Sequence, residues 1–198
     1  MSIVDEIKKA RRPIAKFEVL HAIAERFSPR VISEEPIPEN HIKSILEAAR
    51  LTPSARYHQP WFFYYVKKGT APYEKIKHCI PDRNGWALNA SLIIIACYIR
   101  EESPGTINNW AQYDLGAAVI SLVLQAQDLG YYSRQIGSFD ALETKRQFAI
   151  PEIHIPFTLV AMGKMGTEKD YMIAEKIYVE KDLIPPIRKE KISKEIVA

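Results

Sequence analysis

Cysteine is nearly absent: only Cys79 and Cys97 occur in 198 residues, with no CxxC pair and no histidines at zinc spacing. Neither a disulfide framework nor a structural metal is indicated, and Cys97, inside "SLIIIACYI", reads as a buried, inert thiol. The eight glycines never fall as GxGxxG or GxxxxGK[ST], and there is no HExxH and no GxSxG. A Rossmann fingerprint, a P-loop, a zinc-hydrolase motif and a nucleophile elbow are therefore all missing. The five histidines, at 21, 41, 58, 78 and 154, are scattered. Long apolar runs are missing too, since "SLIIIACYI" and "LGAAVISLVL" fall short of the roughly 20 residues a membrane span needs. The start, "MSIVDEIKKARRP", has no apolar core for export. These absences lead to the expectation of a reduced, cytoplasmic protein with no membrane partner. Blocks of one charge are also lacking: 27 basic and 24 acidic residues are interleaved for a net +3. That pattern argues against a nucleic-acid partner and leaves room for an anionic ligand.

What is present reads as one core. Apolar spacing predicts short helices over 3–12 and 17–27, broken by Pro13, and a third in "IPENHIKSILEAARL", with Ile42, Ile45, Leu46 and Ala49 on one face. "WFFYYVKK" and "SLIIIACYIR" read as strands, with a short helix from about Thr70 to Cys79 between them; the second strand is apolar enough to be covered on both faces. Residues 108–129 predict a long buried helix stopped by Gly130, "YYSRQIG" an extended segment, Asp140 and Glu143 the capping pair of a further helix, and "PFTLVAMG" a last core strand. The fold class that fits is α+β, a sandwich with helices on both sides of a sheet. After Gly166 the chain turns charged, with spaced apolar residues and a Pro185-Pro186 pair. Residues 1–166 therefore read as the domain, and 167–198 as an extended C-terminal arm whose apolar residues favour wrapping over a neighbour.

Two stretches invite a ligand. In "ERFSPRVI", Arg26, Ser28 and Arg30 alternate around Phe27 and Pro29 where a helix has to stop, so an extended backbone would point all three polar side chains one way. Two guanidiniums and a hydroxyl suit a phosphate or another anion, although a solvated helix end has the same composition. In "TPSARYHQPWFFYYV", Pro53 and Pro60 enclose a stiff loop that is neither helix nor sheet and feeds a strand.

"RFSPR", the helix ending in "ILEAARLTPSARYHQPWFFYYV", then "YDLGAAVISLVLQAQDLGYYSRQIGSFD" and "FTLVAMGKMG" together resemble the FMN-dependent nitroreductase family, in the same order and at the same spacing, over about residues 17–180. The resemblance implies a nitroreductase-like three-layer α-β-α sandwich whose central sheet is mixed but mainly antiparallel. It also implies a homodimer with sites shared between subunits. By the family pattern, Arg26 and Ser28, flanking Phe27, would hold the phosphate end of FMN. Arg30 would lie near the flavin's pyrimidine edge, and Lys176 would join the phosphate site. Pro53, Ser54 and Ala55 would line the isoalloxazine from the partner subunit, with Tyr57 and Gln59 in the same loop. Gln59 and Trp61 match positions that close the pocket, and Ile136 and Gly137 match a turn whose backbone donor faces N5.

The chain departs from the pattern at Tyr57, where an asparagine is usual, with Arg56 and His58 beside it, and at Tyr178, where a second basic residue is often found. Arg83 and Asn84 fall in a region that reaches the flavin in longer relatives. The resemblance implies no catalytic side chain, because the flavin carries the chemistry. NADH or NADPH would be a transient reductant and a small molecule, such as a nitroaromatic or quinone, the acceptor, in a ping-pong scheme. Other flavin chemistry (dehalogenation, flavin breakdown, cofactor biosynthesis), a flavin-binding module without turnover and a basic interaction protein without cofactor are the alternatives.

Overall fold

The apolar run at residues 92–97 is the centre of the molecule. The computed structural model describes residues 1–189, 192 and 193. In chain order its elements are α1 (Ile3–Arg11), α2 (His21–Glu25), α3 (Glu39–Arg50), β1 (Trp61–Lys67), α4 (Ala71–Ile76), β2 (Leu92–Ile99), β3 (Glu101–Ser103), β4 (Thr106–Ile107), α5 (Ala111–Asp128), β5 (Tyr132–Ile136), α6 (Ala141–Phe148), β6 (His154–Gly163), α7 (Glu168–Ile173) and α8 (Lys176–Leu183). The main sheet has the order β1-β2-β6-β5, and every pairing in it is antiparallel.

β2 is interior to that sheet and both its faces are covered, which is why it is apolar without alternation. Leu92, Ile94 and Ala96 pack with Ile42, Ile45, Leu115 and Leu122 of α3 and α5. Ile93, Ile95 and Cys97 face the opposite layer, built from α4, a 3-10 segment at Asp82–Asn89 and the end of α6. Each fully buried Leu or Ile contributes about 1.5–3 kcal/mol, so these two faces carry most of the stability. The result is the three-layer α-β-α sandwich that the resemblance implies. Burial pushes the Cys97 thiol up to about 12, in keeping with an inert core cysteine.

The predicted helix over 17–27 shrinks to α2. Its N-cap residue, Leu20, supplies no side-chain hydrogen bond, and Phe17 and Leu20 are 84% and 71% exposed. A short helix without an apolar face buried against its own chain has little to hold it together. Residues 26–29 are neither helix nor strand, with Arg26 extended and Phe27 buried, its ring 4.9 Å from that of Tyr132. The small β3–β4 hairpin and the 82–89 segment have no counterpart in the sequence reading.

Residues 167–183 are not extended. Thr167 and Asp170 form a reciprocal capping box that starts α7, and α7 and α8 bury Tyr171 and Asp182 against α1, Phe27 and Val31. Regular structure ends at Leu183, and 185–189 run without it; the part of the expected arm at 190, 191 and 194–198 lies outside the described residues. The segment 31–33 crosses the end of β6, with Ser33 N–H donating to Lys164 O at 2.9 Å and Gly166 N–H to Val31 O at 3.1 Å. A Cβ on Gly163 would lie 2.6 Å from Ile32 Cγ2 and 2.9 Å from Ser33 O, so only glycine permits this crossing. Among the described residues no helix is long and apolar enough to cross a membrane.

Candidate functional site

Arginines from four parts of the chain meet around Ser28. Arg26 Nη1 donates to Ser28 Oγ at 3.2 Å. Arg134, on β5, donates to the Ser28 carbonyl at 2.7 Å, and Arg11, at the end of α1, reaches the same oxygen at 3.4 Å. Arg11 also donates to Ile184 O at 3.0 Å, which ties α1 to the end of α8. Arg30 pairs with Asp182 of α8 at 3.3 Å. Arg188, just past Pro185-Pro186, lies close enough for its charge to bear on both Arg26 and Arg11.

The electrostatics of this cluster call for an anion. Burial lowers the pKa of Arg26, and the neighbouring charges of Arg188 and Arg11 lower it further. Arg134 is pushed down to about 10 by burial, then by Arg30, with Asp182 opposing. It remains protonated at neutral pH, so desolvated cations crowd together with few counter-charges. Arg11 Nε is buried and has no hydrogen-bond partner among the described residues. A buried donor without a partner costs about 1–3 kcal/mol, which an acceptor oxygen in the cradle would relieve. Forked guanidinium donors, the Ser28 hydroxyl and an orphaned N–H suit a phosphate, so the residues present fit the phosphate end of FMN.

The structure does not bring Lys176 to this cluster. Its side chain is 88% exposed and pairs with Glu180, one turn on in α8, at 3.6 Å. The start of α8 faces outward, and the residues of that helix that turn inward are Tyr178, Val179, Asp182 and Leu183. Arg11, Arg134 and Arg188 had gone unnoticed. Arg134 could have been flagged as the one cation within the apolar "YYSRQIG", and Arg188 as the cation following a Pro-Pro pair. Arg11 and Asp182 carry no local signal, because only tertiary packing brings α1 and α8 here.

The Pro53–Gln59 loop is a second feature. Ala55 N–H donates to Asp114 Oδ2 of α5 at 3.1 Å, and Gln59 N–H donates to Ser54 Oγ at 2.9 Å. Arg56, Tyr57 and Gln59 all have positive φ, at 52°, 60° and 47°. Left-handed backbone costs non-glycine residues roughly 1–2 kcal/mol each, and such strain clusters at ligand sites. Arg56 and His58 both turn to Glu102 of the β3–β4 hairpin, at 3.7 and 3.3 Å, while Tyr57 is 87% exposed. Pro53 and Gln59 lie at the surface and Trp61 is buried at the start of β1. Among the described residues no hydrogen bond or ion pair joins this loop to the Ser28 cradle of the same chain.

The third feature is the turn after β5. Ile136 is buried, its carbonyl accepting from Thr158 Oγ1 at 3.1 Å. Gly137 lines a cavity of about 360 Å³ together with Leu115, Gly116 and Val119 of α5 and Thr158 of β6. Asn84 Nδ2 donates to Ser138 O at 3.0 Å, and the Arg83 guanidinium contacts Ser138 Oγ, so the 82–89 segment braces the turn. β5 thus links Arg134 in the cradle to Ile136 and Gly137 beside the cavity. Arg26, Phe27, Ser28 and Arg30 sit together at one end of this line, with Ile136 and Gly137 at the other.

The fold is a three-layer α+β sandwich with an arginine–serine cluster beside the edge strand β5 and a strained Pro-Ser loop held to α5. A model of the nitroreductase family matches residues 23–81 and 70–164. A protein of Methanothermobacter thermautotrophicus, provisionally named NADH dehydrogenase/NAD(P)H nitroreductase, is 33% identical over 85% of this chain and 90% of its own length. One of Archaeoglobus fulgidus with the same name is 32% identical over 80% of this chain and 91% of its own. A solved structure described as an oxidoreductase containing FMN superposes with a TM-score of 0.80, at 27% identity and 89% coverage of both chains. The chain belongs to the nitroreductase family.

Proposed function

We propose that the protein is a homodimeric, FMN-dependent oxidoreductase, cytoplasmic in location. It would pass hydride from NADH or NADPH to a small acceptor such as a nitroaromatic or a quinone. The observation that carries this reading is the Ser28 cradle, whose crowded guanidiniums and orphaned Arg11 Nε need an anion, in a chain whose relatives are named for NAD(P)H nitroreduction.

Bound FMN would supply the two-electron redox chemistry. Arg26, Ser28 and Arg188 would hold its phosphate, while Arg11 and Arg134 fix Ser28 by its carbonyl. Arg30 would lie towards the pyrimidine edge, and the Ile136–Gly137 backbone would donate to the ring beside the cavity. Pro53, Ser54, Ala55, Tyr57 and Gln59 would come from the partner, which agrees with their separation from the cradle of their own chain. No acid, base or nucleophile of the protein is needed. Reductant and acceptor would take turns at one open face, a ping-pong scheme.

The homodimer is supported by exposed apolar side chains along α5 and at its start: Trp110 at 59%, Tyr113 at 74% and Ile120 at 42%. Large apolar side chains left exposed on one helix are what an interaction surface provides. Tyr57, which departs from the usual loop with Arg56 and His58 beside it, favours as a second reading another reaction of reduced flavin, such as dehalogenation. The test is the visible spectrum of the purified protein, before and after anaerobic NADH or NADPH, with sedimentation on the same sample. Flavin bands that bleach on a dimer are the expected result. A colourless protein that takes up no added FMN would overturn the reading, and halogenated phenols assayed beside nitroaromatics would separate the two acceptor classes.

A further inference from the structure

Asp182 is wholly buried, at 0% exposure. Its Oδ2 accepts from the Arg30 amide at 2.7 Å and the Val31 amide at 3.3 Å, and its Oδ1 faces the Arg30 guanidinium at 3.3 Å. The Tyr171 hydroxyl completes the set at 3.5 Å from Oδ2. Among the described residues it is the one carboxylate whose charge bears on Arg11 and Arg134 as well as Arg30. A buried carboxylate is costly unless paired, and so are desolvated guanidiniums crowded together. Each offsets the other here: Asp182 balances Arg30, Arg11 and Arg134, the guanidiniums next to those that would hold a phosphate.

We propose that Asp182 is the resident counter-ion of the arginine cradle. It holds the guanidiniums together while no phosphate is present, and its charge opposes the phosphate that enters. It is a positioning residue, acting through Arg30 and the 30–31 backbone. The proposal rests on the cradle being the FMN phosphate site.

Charge and shape predict opposite signs for Asp182→Asn, which keeps the volume and one carbonyl acceptor for the amides but loses the charge. The ligand-free variant should melt below the wild type. Its affinity for FMN should rise on the order of tenfold, the effect of removing one like charge from a partly screened site. Its ligand-induced rise in Tm should therefore exceed that of the wild type.

The experiment is thermal unfolding of the full chain, wild type and Asp182→Asn, with no ligand, with inorganic phosphate alone and with FMN, together with FMN fluorescence titration. A lower Tm with tighter binding supports the proposal. A lower Tm with weaker or unchanged binding makes Asp182 a brace only and overturns it. If Asp182→Asn does not fold, the double variant Asp182→Asn/Arg30→Gln decides, because it restores the charge balance. Recovery of folding supports the counter-ion, and continued misfolding overturns it. Protection by phosphate but not FMN, with the stated signs, would keep the counter-ion and remove the FMN reading. Protection by neither would remove both.

Discussion

Arg134 donates from β5 to the main-chain oxygen of Ser28 at 2.7 Å, and the same guanidinium lies 5.2 Å from the centre of the Trp86 ring. One side chain thus joins the edge strand, the 82–89 segment and the anion cradle. A planar, forked cation is required for both contacts, so lysine is not an equivalent replacement.

Arg134→Lys is therefore expected to lower stability by about 1–3 kcal/mol through the lost hydrogen bond and stacking. FMN affinity should fall with it, because the Ser28 carbonyl would be held by Arg11 alone. Urea denaturation and FMN titration of the same variant measure the two effects. A variant that binds and unfolds like the wild type would show that the bridge is incidental.

Three alanine variants separate the cations that face a phosphate from one that does not. Arg26→Ala should weaken FMN binding by about 1.5–3 kcal/mol, the loss of a charge-assisted contact. Arg188→Ala should act in the same direction, whereas Lys176→Ala should leave affinity unchanged, since that ammonium is exposed and pairs with Glu180 on its own helix. Fluorescence quenching of FMN gives all three values, and a large effect at Lys176 would contradict the cradle as drawn.

How much of this could be read before the structure follows from how local each signal is. The alternation of Arg26, Ser28 and Arg30 depends on the helix stopping before Pro29, and in the structure α2 ends at Glu25 and burial alternates from Arg26 to Arg30. β2 was legible because a strand covered on both faces is apolar without alternation, and α5 because Gly130, with φ 82°, ends it. Arg11 and Asp182 were not legible, since their roles depend on α1 and α8 packing together across most of the chain length. The family pattern puts Lys176 at the phosphate site, but helix phase turns it outward and brings Asp182 in. Phe17 and Leu20 fit a helical apolar face in the sequence and prove exposed, because among the described residues no surface covers them.

Gly163 gives a test of the crossing that positions Arg30 and Val31. An added Cβ would meet backbone at Ser33 O, 2.9 Å away, and backbone cannot swing aside. Gly163→Ala should cost about 1–3 kcal/mol, as overpacking does, and its midpoint in a urea titration should drop accordingly. An unchanged midpoint would mean that the 31–33 segment can shift freely.

His154 predicts a pH dependence of stability. Burial first, and the charge of Lys145 second, hold its pKa below the ordinary 6.5. Its Nδ1 shares a hydrogen bond with the Tyr64 hydroxyl at 2.7 Å, and its ring stacks on Phe62 at 4.6 Å. The folded chain prefers the neutral ring. The stability this preference carries is complete above the unfolded value of about 6.5 and is lost as pH falls from there through the depressed folded value. Tm followed from pH 8 to pH 5 should decline in that window for the wild type, and His154→Gln should remove part of the slope. Parallel curves would assign the decline to other groups.

Asp114 links the central helix to the strained loop. It is buried at 3% exposure, and its Oδ2 takes the Ala55 N–H at 3.1 Å. The carboxylate therefore ties the start of the loop to α5. Asp114→Ala leaves the Ala55 amide without its acceptor, a loss of about 1–3 kcal/mol, and removes a constraint from a segment with three left-handed residues. If the loop closes over the flavin of the partner subunit, the variant should remain dimeric and release FMN faster, while Asp114→Asn, which can still accept through its amide oxygen, should recover most of the retention. Stopped-flow dilution of the FMN-loaded proteins reads the release rate directly. Equal rates for wild type and Asp114→Ala would place the loop away from the cofactor and leave its strain without a role in flavin binding.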